Sequence, residues 1–130
     1  MDTDERRYDA ITERIIGCAF RVGSVLGAGF MEKVYENALA HELRKEGLNV
    51  AQQVPVEVWY DGVKVGDYVA DLLVEGKVLV ELKAIKALEM IHHAQCINYL
   101  AATKLPVCLL IKFAKRVEVK RIAGASLSPP

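Results

Sequence analysis

The segment Val78-Leu79-Val80-Glu81-Leu82-Lys83 restricts the architectures open to this chain more than any other stretch. Its apolar residues are nearly continuous rather than alternating, which marks a central strand covered on both faces. Upstream, from Val50, the apolar period is two. Val50, Gln52, Val54, Val56, Val58 and Tyr60 are expected on one face of a strand that ends at the hairpin signal Asp61-Gly62. Pro55 has no donor for a ladder, so that strand belongs at an edge or carries a bulge. A second strand runs from Val63 to Val74, and two more are expected over Val107–Phe113 and Val117–Ile122.

Helical periodicity fills the rest. Tyr8, Ile11, Ile15, Ala19, Val22 and Leu26 repeat at helical spacing between Asp4 and Leu26, with Thr3 as a cap and Gly27-Ala28-Gly29 as a stop. A second helix spans Met31 to Glu46, with Gly47 past its end, and a third runs from about Ala87 to Thr103. The order is α-α-β-β-β-α-β-β. A crossover helix between Lys83 and Val107 sets two strands parallel, so the expected fold is α/β, a mixed central sheet with helices on both sides.

Length and composition suit one such unit. The chain has 130 residues, 52% of them hydrophobic and 26% charged, enough apolar surface for a real core and too much for a disordered chain. One domain is expected over residues 1–123, followed by a flexible Gly/Ser/Pro tail over 124–130. No run approaches the about 20 apolar residues of a membrane-spanning helix. The charged N-terminal stretch does not resemble a signal peptide. Cys18, Cys96 and Cys108 form no CxxC pair and read as buried thiols of a reducing compartment, so a cytoplasmic protein is expected. Seventeen basic and seventeen acidic residues cancel, which excludes a chain that grips nucleic acid over its whole surface. The balance is uneven, however. Lys104, Lys112, Lys115, Arg116, Lys120 and Arg121 face Glu118 alone in the C-terminal part, giving a basic edge able to track phosphates, or simply a solvated face.

The informative polar residues are those on apolar stripes. Glu81 and Lys83 share one face of the central strand, and Asp71 lies between Val69 and Leu73 on the strand before it. Two carboxylates brought close repel one another unless they share a proton or a divalent cation. An oxygen-only pair beside a lysine fits Mg²⁺, with Mn²⁺ as a substitute, whereas zinc would call for His or Cys. Hairpin geometry decides whether they meet. A two-residue loop at Glu75-Gly76 would set Asp71 opposite Val80, facing away from Glu81. A three-residue loop with a Gly76 bulge pairs Leu73 with Lys77 and puts Asp71, Glu81 and Lys83 on one face, which is the arrangement expected. Glu32 shares a helical stripe with Tyr35, Glu36, Leu39 and Leu43 and is expected on the core side. Leu88, Ile91, His92, Gln95, Tyr99 and Ala102 form one face of the third helix. His92 and His93 have no nucleophile beside them and read as surface or supporting residues.

These residues carry a resemblance. Gly29-Phe30-Met31-Glu32-Lys33-Val34-Tyr35 is similar to the signature of the GxxExxY protein family. Gly66-Asp67-Tyr68-Val69-Ala70-Asp71, Glu81-Leu82-Lys83 and Gln95-Cys96-Ile97-Asn98-Tyr99 resemble the acidic, E-x-K and Q-x-x-x-Y motifs of RecB-type nucleases in the PD-(D/E)XK superfamily, with Ala70 where that name has Pro. The resemblance spans about Asp9 to Ile122. It implies a restriction-endonuclease-like core and a Mg²⁺-dependent nuclease acting on nucleic acid, DNA before RNA. Asp71, Glu81 and the Leu82 carbonyl would bind the metal and Lys83 would orient or activate water, with Glu32 completing the acidic cluster. Gln95 and Tyr99 would orient substrate, and Lys115 and Arg116 would hold the phosphate backbone. The alternatives are a catalytically inactive nuclease fold acting as a nucleic-acid-binding or regulatory module, and a homo-oligomeric interaction protein. A homodimer is open to either, and no membrane partner is expected.

Overall fold

The structure is a computed structural model that describes residues 3–124, with side chains from residue 6 onward. Its elements follow the expected order: α1 Thr3–Leu26, α2 Glu32–Lys45, β1 Val50–Tyr60, β2 Val63–Val74, β3 Val78–Lys83, α3 Met90–Thr103, β4 Val107–Lys112 and β5 Glu118–Ala123. The five strands form one sheet in sequence order, with β1 at an edge as Pro55 requires. Only the β3–β4 pair, bridged by α3, is parallel. Helices α1 and α2 cover one face, where Ile15, Tyr35, Leu39 and Leu43 pack on Leu72, Val80, Leu82 and Leu109. Helix α3 covers the other, where Cys96, Tyr99 and Leu100 meet Leu79, Cys108 and Leu110. Residues of β3 alternate between these two cores, which accounts for its continuous apolar run.

Four expectations need correcting. The face of β1 is not uniform, since Val50 packs on the first core and Val56 in the second. The alternation switches at Gln53, whose φ of 55° takes it out of extended geometry and leaves it without a ladder partner opposite Asp71. Helix α3 begins at Met90, not Ala87, because the Lys86 carbonyl accepts from Lys112 Nζ at 3.1 Å and Glu89 stays extended as the N-cap. Its inner face is Cys96, Tyr99 and Leu100, while Leu88 precedes the helix and Ile91 is 69% exposed. Glu32 is exposed, because the first turn of α2 overhangs the sheet and the buried stripe begins only at Tyr35. The Thr3 side chain and residues 125–130 of the tail lie outside the described residues. Gly124 is buried, and its N–H donates to the Pro106 carbonyl at 2.6 Å. Cys18, Cys96 and Cys108 are buried and unpaired, as expected.

Candidate active site

The β2–β3 hairpin determines what can meet at the site. Its ladder pairs Val74 with Val78, Leu73 with Leu79 and Leu72 with Val80, leaving three residues in the loop. The register is shifted by two residues from the expected one: Leu73 faces Leu79 rather than Lys77. The consequence for faces is the same. Glu75 (φ 55°) and Gly76 (φ 63°) are both left-handed, as in a type I′ turn closed by Lys77 N–H donating to Val74 at 3.0 Å, and Lys77 is the added residue. Gly76 carries the positive φ expected of it.

Beyond Leu72 and Val80 the ladder stops and side chains replace it. Asp71 N–H donates to Glu81 Oε1 at 2.9 Å, and Leu82 N–H donates to Asp71 Oδ2 at 2.7 Å. Each carboxylate therefore satisfies a backbone donor released where the strands part. Asp71 Oδ1 and Glu81 Oε2 make no hydrogen bond among the described residues, and no buried side-chain oxygen there lacks a partner, so both are open to solvent. A residue's N–H and C=O point to the same side of a strand. The Leu82 carbonyl accordingly points to the β2 side, past the last ladder pair, whereas the Lys83 carbonyl points to β4 and accepts from Phe113 N–H at 2.8 Å.

Burial and proximity set the protonation of the pair. Glu81 is 3% exposed, and loss of water together with the Asp71 charge pushes its carboxyl from the ordinary 4.5 up to about 8. Asp71 is raised mainly by burial, against the Leu82 N–H that lowers it. The Lys83 charge favours ionisation of both, and Glu32 opposes it from a longer range. Without a cation the pair thus holds a proton near neutral pH. Two carboxylates and one inward backbone carbonyl form an all-oxygen set, which suits Mg²⁺ or Mn²⁺ completed by water. No group of three or more His, Cys, Asp or Glu side chains able to hold a metal occurs among the described residues.

The remaining expected site residues fall into two groups. Tyr99 hydroxyl accepts from Gln95 Nε2 at 2.9 Å, and its ionisation is suppressed first by burial and next by the Glu81 charge, so α3 delivers both residues to the carboxylates. Lys115 and Arg116 lie on the other side, exposed in the turn after β4, beside a groove of about 700 Å³ bordered by Ala28–Phe30 and Ala84–Lys86. The basic edge read from sequence is therefore broken up: Lys112 pairs with Glu118 at 2.8 Å, Arg121 pairs with Asp9 at 2.8 Å, and Lys104 caps α3. Glu32 reaches the carboxylates only through its charge. In the motif it belongs to, Tyr35 does the structural work. Its hydroxyl donates to the Gly27 carbonyl at 2.6 Å and accepts from Phe30 N–H at 3.3 Å, and its ring stacks on Phe113 at 4.6 Å.

A model of the PD-(D/E)XK nuclease superfamily matches residues 9–122. The chain belongs to that superfamily. Two of the solved structures that share its fold show how far the likeness goes. One, titled "Crystal structure of SSO0001", aligns with a TM-score of 0.55 at 20% identity, over 91% of this chain and 60% of that one. The other, an alkaline exonuclease (LHK-Exo) from Laribacter hongkongensis, aligns with a TM-score of 0.50 at 14% identity, over 83% and 77%. The chain thus spans about 60% of the length of the first. No curated protein matches. In this superfamily member, sequence reasoning missed Glu36. Buried at 3% exposure, it accepts from Gln52 Nε2 at 2.6 Å, Gln53 Nε2 at 2.7 Å and Lys33 Nζ at 3.0 Å. Two consecutive strand residues can reach one carboxylate because Gln53 leaves the extended region, and that kink stands opposite Asp71. The signal was present in the sequence: a charge inside the Tyr35-Leu39-Leu43 stripe, and a Gln pair in an apolar strand.

Proposed function

We propose that the protein is a metal-dependent nuclease that hydrolyses phosphodiester bonds, with Mg²⁺ (or Mn²⁺) held by Asp71, Glu81 and the Leu82 carbonyl. The observation that carries this reading is the reciprocal Asp71–Glu81 arrangement. It converges two carboxylates, each with one oxygen open to solvent, beside a lysine that forms no ion pair among the described residues. Membership in a nuclease superfamily and the likeness to an exonuclease structure support it. A bound cation supplies a lowered water pKa and charge neutralisation at the phosphate. The chain's own residues do the rest. Asp71 and Glu81 lose their shared proton and hold fixed positions through the backbone donors. Lys83 orients the attacking water and offsets negative charge on the phosphate, while Gln95 and Tyr99 position a non-bridging oxygen. Lys115 and Arg116 hold flanking phosphates, and Glu32 adds to the acidic field that draws in the cation. DNA is the expected substrate. The three free thiols fit a cytoplasmic setting, and no described helix is long and apolar enough to cross a membrane.

The test is cleavage of labelled single- and double-stranded DNA and RNA with Mg²⁺ or Mn²⁺, with Lys83→Ala purified alongside. Metal-dependent cleavage lost in Lys83→Ala is expected. Activity equal in the wild type and Lys83→Ala, or no activity with any substrate, would refute the assignment.

A further inference from the structure

A groove of about 1070 Å³ starts at Lys83 and Gln95 and runs along α3 to Lys104, walled on its far side by the outer half of the β1–β2 hairpin. From His92 to Lys104 the helix advances about 18 Å at 1.5 Å per residue. The volume is at the top of the range that a single small ligand fills, which suits a segment of a polymer. Its wall is unusual for a surface facing water. Trp59 is 59% exposed, Tyr68 53% and Ile91 69%, a concentration of apolar surface that marks a binding site. Tyr68 is also held in place, its ring 5.8 Å from that of Tyr99. The charged side chains bordering the groove are Lys83, Lys104 and Glu57, and Glu57 is already met by Lys64 at 3.5 Å, so the surplus is positive.

We propose that this groove seats an unpaired nucleic-acid strand, its bases stacking on Trp59 and Tyr68 and its backbone leading to Lys83. The inference rests on the nuclease reading for the placement of the scissile phosphate, and it names the substrate class that reading leaves open. Aromatic faces with sparse positive charge recognise bases that are free to stack, and every base has such a face. A duplex hides those faces and offers only phosphates, which the chain meets on the other side of the carboxylates, at Lys115 and Arg116. Continuity decides the choice of occupant: Lys83, Gln95 and Tyr99, which the nuclease reading places around the scissile phosphate, line the groove, so a strand threaded along it leads to them.

Trp59 is the single tryptophan, so its fluorescence reports on this groove alone. In chelator, where no cleavage occurs, oligo(dT) and oligo(U) are titrated against a blunt duplex of equal length, and binding of the same labelled oligomers is followed by anisotropy. Single strands should quench Trp59, the duplex should not, and the two single-stranded arms separate DNA from RNA. Trp59→Ala and Tyr68→Ala should each weaken single-strand binding roughly 5- to 100-fold, and Trp59→Phe should restore most of it. Unaltered binding in both alanine variants, or quenching by the duplex alone, would overturn the proposal. So would emission that shifts with protein concentration in the absence of nucleic acid together with a dimer abolished by Ile91→Glu, which would give the groove to a second copy. Quenching by single strands with no cleavage under Mg²⁺ or Mn²⁺ would uphold the groove and defeat the nuclease reading. Cleavage lost in Lys83→Ala, with groove variants binding normally, would do the reverse.

Discussion

Replacing Glu81 by Gln should stabilise the metal-free protein, and by an amount that grows with pH. Gln keeps an oxygen to accept the Asp71 N–H, now at 2.9 Å, but carries no charge into the site. Glu81 is a carboxyl raised by folding from 4.5 to about 8, so the folded state binds more protons than the unfolded one between those values. Stability must therefore fall as pH rises through that window, the opposite of a salt-bridged carboxylate. At about 1.4 kcal/mol per pH unit, the loss is roughly 3 kcal/mol by about pH 7 and on the order of 5 kcal/mol above pH 8. Relaxation and water entry reduce it. Even about 2 kcal/mol would separate the variant from the wild type by roughly 6–10 °C in Tm for a domain of this size. The assay is thermal unfolding followed by circular dichroism in chelator from about pH 5 to 9, with both proteins scanned together so that all other groups cancel. The gap should be small at the acid end and widest at the alkaline end. Mg²⁺ or Mn²⁺ should then raise the wild-type Tm, by about 2.7 kcal/mol of stability at a hundredfold excess over Kd, and leave Glu81→Gln and Asp71→Asn almost unmoved. A gap constant across pH, or destabilisation by Gln at pH 9, would refute the buried like-charge pair. An equal metal response in all three proteins would refute the metal site.

Three further outcomes follow from the same geometry. Charge reversal at Lys115 and Arg116 should weaken nucleic-acid binding and lower the log–log salt slope by roughly 0.7 to 0.9 for each phosphate the variant no longer neutralises, read from binding isotherms over a salt series; an unchanged slope places the backbone elsewhere. Glu36→Ala removes the buried acceptor shared by Lys33, Gln52 and Gln53 and, with Gln52 still held by Asn37 and Gln53 exposed to water, should cost about 1–3 kcal/mol in denaturant unfolding. Because the kink at Gln53 faces Asp71, that variant should also weaken the metal-induced rise in Tm, and full retention of the rise would show that the clamp serves stability alone. Tyr35→Phe removes the 2.6 Å bond to the Gly27 carbonyl while keeping the stack on Phe113, and should cost about 1 kcal/mol in the same measurement; no loss would mean that ring packing alone holds the loop.

The continuous apolar run of β3, the period-two strands and the capped helical stripes specify element order and the parallel β3–β4 pair, because burial on two faces, one face or one stripe leaves distinct periodicities. Side-chain parity within the β2–β3 hairpin was legible for the same reason: with a period of two, only an odd loop lets Asp71 and Glu81 share a face. Tertiary structure decided what local pattern does not encode. The exact register came from two left-handed residues at the turn. The parting of β2 and β3 at Asp71 turned backbone donors toward the carboxylates, and the switch of faces at Gln53 depended on Glu36 arriving from α2. The basic segment was dispersed by partners distant in sequence, Asp9 for Arg121 and the Lys86 carbonyl for Lys112. Glu32 and Ile91 sit on stripes that read as buried and are exposed, since a helix can overhang the sheet it packs on. Periodicity is a property of neighbours along the chain, whereas the solvation of a charge depends on which distant residues fill the space around it, and only the assembled sheet and helices determine that.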